Sequence, residues 1–272
     1  MSIFPTSVEN FHPLDHQGEV PGLGSSGSPS KGRKVRQFGH VAFRPLMLIL
    51  ILALLVLYLH STPLDSIDRR SLYWSVIRSE LIQQLGLTLI SSALVTVLAV
   101  LLGILLTRKK APVANSVVTA LATLGQAAPP VGLMILAALV LGVGARTAIY
   151  ALIVYSILPV LRNTVTGLNG LDKSILEAAR GIGMRPIQIL VGVELPLAVP
   201  VIMAGVRTAI ILNVGTAALA TFINGGGLGT MITTGIAVDR TPIIVTGSVL
   251  VAVFALAMDW VVMIAGEVLS PG

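Results

Sequence analysis

Polar side chains able to form ion pairs and hydrogen bonds recur through one interval, residues 168–196. It is the longest polar-bearing interval between two apolar stretches, and it contains Asp172, Lys173, Glu177, Arg180, Arg185 and Glu194. An interval held between two membrane-spanning stretches has no lipid in which it can bury itself. We therefore expect a soluble protein to dock on it.

This interval has the pattern of a compact helix–turn–helix. Ser174, with Glu177 three residues later, has the spacing of a capping box and predicts a short helix that runs to Ala179. Gly181 and Gly183 would end that helix, because glycine adopts the left-handed conformation at low cost.

Prolines predict further helix boundaries. Pro186 marks the start of a second helical turn, and Pro196 marks a break before the next span. Pro129 and Pro130 lie deep in an apolar stretch shortly after Gln126. The carbonyl groups that such a break frees are tolerated only where protein or a water-filled cavity covers them. A translocation path near Gln126 and Pro129 is one interpretation, and a plain packing kink is the other.

Polar residues of two other spans extend the candidate path. Asn213 and Thr216 are three residues apart and share a helix face, so they either line a path or form hydrogen bonds between helices. Tyr155 and Asn224 are further candidates, the latter at the start of a glycine-rich run that permits a re-entrant turn. Asp259 lies inside the last span, where a carboxylate is either paired or snorkelling, or takes part in proton coupling.

These side chains must be positioned by membrane-spanning helices. The chain has 272 residues, 54% of them hydrophobic and only 11% charged, whereas soluble domains carry about 25% charged residues. Apolar stretches long enough to approach or exceed a bilayer crossing run over residues 45–60, 84–106, 115–143, 147–167, 197–222 and 242–266. The sequence therefore predicts an all-α, polytopic membrane protein with about six transmembrane helices.

The charge distribution predicts the orientation and argues against nucleic acid as a partner. The net charge is +6, and with both termini in the cytoplasm 13 of the 18 basic residues lie on the inner side. We expect a disordered cytoplasmic tail over residues 1–40 and the first transmembrane helix with an external segment over 41–83. The remaining transmembrane domain spans 84–266, with its cytoplasmic loop at 168–196.

Several classes of function lack their motifs in this chain. It has no G-x-x-x-x-G-K-[ST] phosphate loop and no cysteine, and its four histidines all precede residue 61. No set of residues has metal-ligand spacing, and no serine–histidine–aspartate set can be assembled within the membrane. The chain is therefore not expected to be an enzyme. A separate polypeptide that supplies the energy for transport would explain both the missing catalytic motifs and the polar docking loop.

The loop resembles the cytoplasmic signature of permease subunits of binding-protein-dependent ABC importers. That signature reads Glu-Ala-Ala, three residues, Gly, nine residues, Ile-x-Leu-Pro, and here it is Glu177-Ala178-Ala179, Gly183 and Val193-Glu194-Leu195-Pro196. The one departure is valine for isoleucine. Residues 155–164 and the run Gly225–Gly229 resemble the osmoprotectant branch (glycine betaine, choline, carnitine), and the likeness covers about residues 84–266.

The resemblance implies a type I (MetI-like) permease fold and a set of partners. Two permease subunits, identical or different, would enclose one path in the inner membrane, and a solute-binding protein outside would deliver the solute. An ABC ATPase dimer would bind the ATP and Mg²⁺, since this chain holds no cofactor. Its expected contacts are the coupling-loop residues Glu177, Ala178, Ala179, Arg180, Gly183 and Pro196.

Three functions stay open from the sequence. The resemblance favours import of a quaternary amine such as glycine betaine or choline. The same machinery could carry methionine or another small polar solute, since the methionine-type permeases share the glycine run. A stand-alone secondary carrier is the third reading, but the inverted repeats and midplane charges typical of that class were not found.

Overall fold

Helices make up the described part of the chain, as expected for segments that satisfy their own backbone groups in lipid. The computed structural model describes the backbone of residues 31–108 and 112–269 and the side chains of residues 44–108 and 116–266. The first helices are α1 (Lys31–Ser61), α2 (Ser66–Ser71), α3 (Trp74–Arg108), α4 (Pro112–Ala127), α5 (Pro130–Leu141) and α6 (Ala145–Asn169). They are followed by α7 (Lys173–Gly181), α8 (Pro186–Ile189), a π-helical segment (Leu190–Glu194), α9 (Leu195–Ala217), a 3₁₀ segment (Ala218–Ile223), α10 (Gly229–Ala237) and α11 (Thr241–Leu269). The predicted all-α fold is confirmed.

The number of spans also agrees with the sequence. Five segments of the described chain are long and apolar enough to cross a membrane: Arg44–Ser61, Trp74–Arg108, Ala145–Asn169, Pro186–Ile223 and Thr241–Gly266. Helices α4 and α5 form a sixth if they are counted together, and they are bent by 106° at the break between them. This break confirms the effect predicted for Pro129 and Pro130.

Two boundaries near the start of the chain differ from the prediction. Helix α1 begins at Lys31, inside the segment expected to be a tail, and residues 1–30 of that tail lie outside the described residues. Helix α3 begins at Trp74, inside the predicted external segment. The first turns of α3 are polar, but they extend a helix that the following apolar residues already stabilise. The change from polar to apolar residues therefore does not mark the start of the helix.

Packing is centred on α6. Helices α3 and α9 pack along it, α4 and α5 also contact it, and α11 packs against α9 and α10. The chain divides into two compact units, Met1–Gly39 and His40–Gly272, and helices α2–α11 belong to the second. The buried cluster shared by α3, α6 and α9 contains Val95, Ala99, Leu158, Leu161, Ala198 and Ile202.

Small residues bring these helices close together, as is typical of packing in membranes. A Cβ atom at Gly205 of α9 would lie 2.7 Å from the backbone oxygen of Pro159 in α6. A Cβ atom at Gly103 of α3 would lie 2.6 Å from a side-chain carbon of Thr164. Glycine at these two positions therefore sets the spacing of the three central helices.

Candidate functional site

Helix α7 begins at an aspartate cap. Asp172 Oδ1 accepts a hydrogen bond from the backbone N–H of Ser174 at 2.9 Å, so α7 starts at Lys173. This hydrogen bond is the main reason that the pKa of Asp172 lies below its ordinary value. The predicted capping box of Ser174 and Glu177 is wrong, because Asp172 already satisfies the free N–H and Ser174 lies inside the helix.

The end of α7 is a glycine turn. The Met184 N–H donates to the Ala179 carbonyl at 3.2 Å and the Gly183 N–H donates to the Arg180 carbonyl at 3.0 Å. This is the hydrogen-bond pair of a Schellman motif. Gly183 has a φ of +85°, so its predicted role in ending the helix is confirmed. Gly181 is the last residue of α7 and keeps a negative φ.

The outer face of α7 and its turn carries apolar groups although it is exposed. Ala179 packs inward and is buried. The exposed residues are Lys173, Ser174, Ile175, Glu177, Ala178, Arg180, Gly181, Ile182 and Gly183. The Ile182 side chain is the extreme case, with 80% of the residue exposed. Apolar groups rimmed by charges on a protein surface mark an interaction site, and we call residues 173–183 the docking face.

The chain continues without a break from α8 into α9. The Leu195 N–H donates to the Leu190 carbonyl five residues earlier, so the turn widens into a π-helical segment. Pro196 follows in the first turn of α9, where the wide turn accommodates its ring and its missing N–H. The predicted break at Pro196 is therefore wrong, and the residue lies exposed at the end of the widened turn.

An ion pair ties this segment to α3. Arg108, the last residue of α3, pairs with Glu194 at the end of the π-helical segment, and the Glu194 side chain is only 7% exposed. Sequence analysis missed this pair, because the two residues are 86 positions apart and each also fits an unpaired role at a membrane surface. The docking face is thus connected to both α3 and α9.

Helix α4, which leads to the break, carries a polar stripe. Ser116, Thr119, Thr123 and Gln126 recur at helical spacing on α4, and the first three line a groove of about 590 Å³. None of these four side chains is buried, and Arg162 of α6 donates a hydrogen bond to Thr123 Oγ1 at 3.2 Å. A stripe of hydroxyl and amide groups on a spanning helix suits contact with water rather than lipid.

The remaining candidate path residues lie in different surroundings. Pro129 is exposed at the start of α5, and Tyr155 is half-buried in α6. Asn213 is completely buried, and its Nδ2 donates to Ser92 Oγ of α3 at 3.0 Å. Thr216 is buried too and bonds to the backbone of its own helix. For Asn213 the predicted alternative, a hydrogen bond between helices, is what the structure shows.

The glycine-rich run after the 3₁₀ segment forms a tight turn. Asn224, Gly226 and Gly227 have φ values of +56°, +79° and +94°. Gln83 of α3 accepts a hydrogen bond from the Gly227 N–H at 3.0 Å. The neighbouring Gln84 is completely buried and donates to a carbonyl of α9 at 2.9 Å. Gln83 thus holds the turn against α3, and Gln84 holds α9 against α3. Only their amide type in an apolar stretch could have suggested these roles.

Asp259 of α11 is paired on two sides. Its carboxylate binds Arg207 of α9 through two hydrogen bonds of 2.5 and 2.9 Å and Arg44 of α1 through one of 2.6 Å. Two cationic partners satisfy an intramembrane carboxylate. The structure therefore supports the paired interpretation of Asp259 over proton coupling.

Comparison with known proteins finds similarity to membrane transport permeases over most of the chain. Residues 99–272 match the family model described as "Binding-protein-dependent transport system inner membrane component". The choline transport system permease protein OpuBB of Bacillus subtilis is 41% identical over 189 residues, which are 70% of this chain and 86% of the relative. The osmoprotectant import permease protein OsmY of Salmonella typhimurium is 36% identical over 223 residues, 82% of this chain and 93% of the relative.

Solved structures show the same fold. A chain of the inward-facing MetNI methionine ABC transporter superposes with a TM-score of 0.63 at 22% identity, covering 72% of this chain and 96% of that one. A chain of an amino acid ABC transporter crystallised with histidines gives a TM-score of 0.60 at 18% identity, covering 76% of this chain and 99% of that one. At these identities the likeness concerns the arrangement of the helices.

Proposed function

Because the chain belongs to the family of binding-protein-dependent transport system inner membrane components, we propose that it is the permease subunit of an ATP-driven importer of a small osmoprotectant. The chain is a membrane permease rather than an enzyme. The relatives named for choline and osmoprotectant import support a quaternary amine, such as choline or glycine betaine, as the solute.

The observation that carries this proposal is the docking face. Residues 173–183 expose apolar side chains beside Glu177 and Arg180, and the helices that flank this segment span the membrane. A subunit of a dimeric ABC ATPase would cover this face, with Ala178 allowing close approach. That partner would bind the ATP and Mg²⁺, since this sequence has no phosphate loop.

Movement of the ATPase would reach the membrane helices through two connections. One is the covalent path from α7 through α8 and the π-helical segment into α9. The other is the ion pair of Arg108 with Glu194, which ties the end of α3 to the same segment. Both helices would then move together as a rigid body when the ATPase dimer closes, which alternates access to the path.

The path itself would lie between two permease subunits. The polar stripe of α4 ends at Gln126, three residues before Pro129, and it supports a water-accessible surface there. Asn224 is exposed in the turn that follows the 3₁₀ segment. Tyr155 stays a candidate, whereas Asn213 would act by holding α3 and α9 together, and Thr216 is bonded within its own helix. Both termini would lie in the cytoplasm, and a solute-binding protein would dock on the outer side.

The other two readings have weaker support. Methionine or another small polar solute is favoured only by structures at 22% identity and below, which show the fold alone. A stand-alone carrier does not agree with the family, whose members work as components of binding-protein-dependent systems. The osmoprotectant reading therefore holds over both.

One experiment tests the proposed function directly. The chain is co-purified with the ATPase and solute-binding protein of its own system and reconstituted, and ATP hydrolysis is measured with choline, glycine betaine, carnitine or methionine. We expect a quaternary amine to stimulate hydrolysis and methionine to have no effect. Stimulation by methionine alone, or solute uptake by the chain without any ATPase, would overturn the proposal.

The docking face has its own test in Glu177→Arg. A few contact residues often supply most of the binding free energy of an interface. Reversing the charge of such a residue should therefore weaken binding. We expect recovery of the ATPase on co-purification to fall by about tenfold, with the chain still inserted in the membrane. Arg146→Glu reverses a charge at the start of α6, the end of that helix remote from α7. It serves as the control and should retain the ATPase. Equal recovery for both variants would reject the docking assignment.

A further inference from the structure

A polar cavity lies where the start of α3 meets the glycine-rich turn. Its volume is about 410 Å³, and it is lined by Ser75, Val76, Ser79, Glu80, Gln83, Thr221, Asn224, Gly226 and Thr230. Glu80 precedes Arg108 by 28 residues on the same helix. At 1.5 Å per residue, the cavity lies about 40 Å from the end of α3 that pairs with Glu194. The cavity is therefore on the side of the membrane opposite to the docking face.

Glu80 is the charged residue of this cavity and has no cationic partner in the described part of the chain. The ion pairs seen there use Asp65, Glu194 and Asp259 as their carboxylates. Glu80 is half-buried, and its Oε2 atom is shielded from solvent without a hydrogen-bond partner among the described residues. A carboxylate in such a place is costly unless a cation or hydrogen-bond donors complete it.

The cavity walls hold a defined shape around this carboxylate. Gln83 is fixed by its hydrogen bond from the Gly227 N–H and lies next to Ser79. A Cβ atom at Gly226 would lie 2.2 Å from Gln83 Oε1, so only glycine leaves room there. The other polar lining groups are hydroxyls and amides, which are neutral. The result is a preformed pocket with one carboxyl group, of a size that suits a small solute.

We propose that this cavity is a binding subsite for the ammonium group of the transported solute, with Glu80 as its counter-charge. A quaternary ammonium group has no N–H donor, so it pairs with a carboxylate by charge alone and needs no hydrogen bond from Glu80. The amides of Gln83 and Asn224 would then face the neutral or anionic end of the solute. This inference rests on the proposed function and adds a charge filter to it.

The test compares choline, which carries a net positive charge, with glycine betaine, which carries none. Glu80→Gln is introduced into the permease, and the complex with its ATPase is titrated with radiolabelled choline in the absence of the binding protein. We expect choline affinity to fall by about tenfold, and uptake by the complete system to lose more of its choline rate than of its glycine betaine rate. Asp239→Asn removes an exposed carboxylate in a left-handed turn that asparagine also tolerates, and it should change neither quantity.

A second variant keeps Glu80 in place. Val76 is exposed and lines the cavity one helical turn before Glu80, so Val76→Lys would supply an internal ammonium group. We expect it to abolish choline binding, and Glu80→Asp to retain it. Unchanged choline binding in both Glu80→Gln and Val76→Lys would overturn the subsite. A wild-type complex that transports neither solute would instead overturn the proposed function, so the two failures are distinguishable.

Discussion

At the level of single residues, backbone conformation at one glycine controls the shape of the docking face. Gly183 has a φ of +85°, and no atom lies within 4 Å of the position where its Cβ would be. A side chain there meets no steric obstacle, so the penalty of a substitution comes from the left-handed backbone itself. Gly181 also has open space around its Cβ position but keeps a negative φ at the end of α7.

Gly183→Ala should impair coupling while Gly181→Ala does not. An alanine in the left-handed conformation costs roughly 1–2 kcal/mol, whereas alanine at a helical position is favourable by about 1 kcal/mol. We expect solute-stimulated ATP hydrolysis of the reconstituted complex to fall by about tenfold in the first variant only. Equal activities would show that the turn tolerates another conformation during transport.

Charge pairing at Asp259 is a second effect of single residues. The carboxylate joins α1, α9 and α11 through Arg44 and Arg207. Asp259→Asn would leave two arginines without their counter-charge, which we expect to lower the free energy of unfolding by about 2 kcal/mol, since the pair is partly exposed. Arg44→Gln keeps the two hydrogen bonds from Arg207 and should cost less.

Thermal unfolding of the detergent-solubilised subunit measures both variants. The expected order of the melting temperatures is wild type, then Arg44→Gln, then Asp259→Asn. A stable Asp259→Asn variant that fails to transport would contradict the structural role and favour proton coupling instead.

At the level of elements, the glycine-rich turn is the connection with the least room. A Cβ atom at Gly229 would lie 1.7 Å from the carbonyl oxygen of Ala218, so α10 begins directly against the 3₁₀ segment. Gly235 and Gly247 let α10 and α11 approach in the same way, with Cβ positions 2.7 and 2.9 Å from neighbouring side chains. This turn and the packing of α10 on α11 therefore depend on glycine at defined positions.

Gly229→Ala should prevent the turn from closing. The obstacle is a backbone atom, which cannot rotate away as a side chain can, so we expect a loss of about 3 kcal/mol or more in stability. Gly215→Ala in α9 is the matched control, because nothing lies within 4 Å of its Cβ position. The yield of monodisperse protein on size exclusion in detergent distinguishes the two, and similar yields would contradict the packing at Gly229.

At the level of the whole molecule, the exposed surface is of two kinds: an apolar one that suits lipid or another subunit, and a polar one that suits water. Leu139 and Val140 of α5 are 77% and 82% exposed, as expected for a surface covered by lipid or by another subunit. The stripe of Ser116, Thr119 and Thr123 is polar and borders a groove. Helix α4 thus presents a polar surface and helix α5 an apolar one.

Thiol labelling can separate these faces, because the chain contains no native cysteine. Thr123→Cys should react with a membrane-impermeant thiol reagent at least about tenfold faster than Leu121→Cys, since thiolate forms in water and near Arg162 but not in lipid. Leu121 is 64% exposed, so a difference in accessibility to the reagent would reflect the solvent rather than burial. Equal rates would exclude a water-filled path along α4.

Local patterns in the sequence were sufficient for the elements. Apolar length predicted the spans, Pro129 and Pro130 predicted the break, and Gly183 predicted the end of α7, because each of these effects acts within a few residues. Errors arose where two local signals competed. Asp172 took the cap expected of Ser174, and the widened turn before Pro196 kept the helix continuous.

Fold class, spans and the docking loop can thus be read from consecutive residues, since lipid demands apolar length and a helix end demands particular side chains nearby. Contacts between distant positions required the packed helices: Arg108 with Glu194, Asp259 with two arginines, Asn213 with Ser92, and Gln83 with the glycine-rich turn. A side chain buried in a membrane takes whichever polar partner the packing brings within hydrogen-bond distance. That partner is set by the crossing of whole helices, which spacing along the chain does not encode.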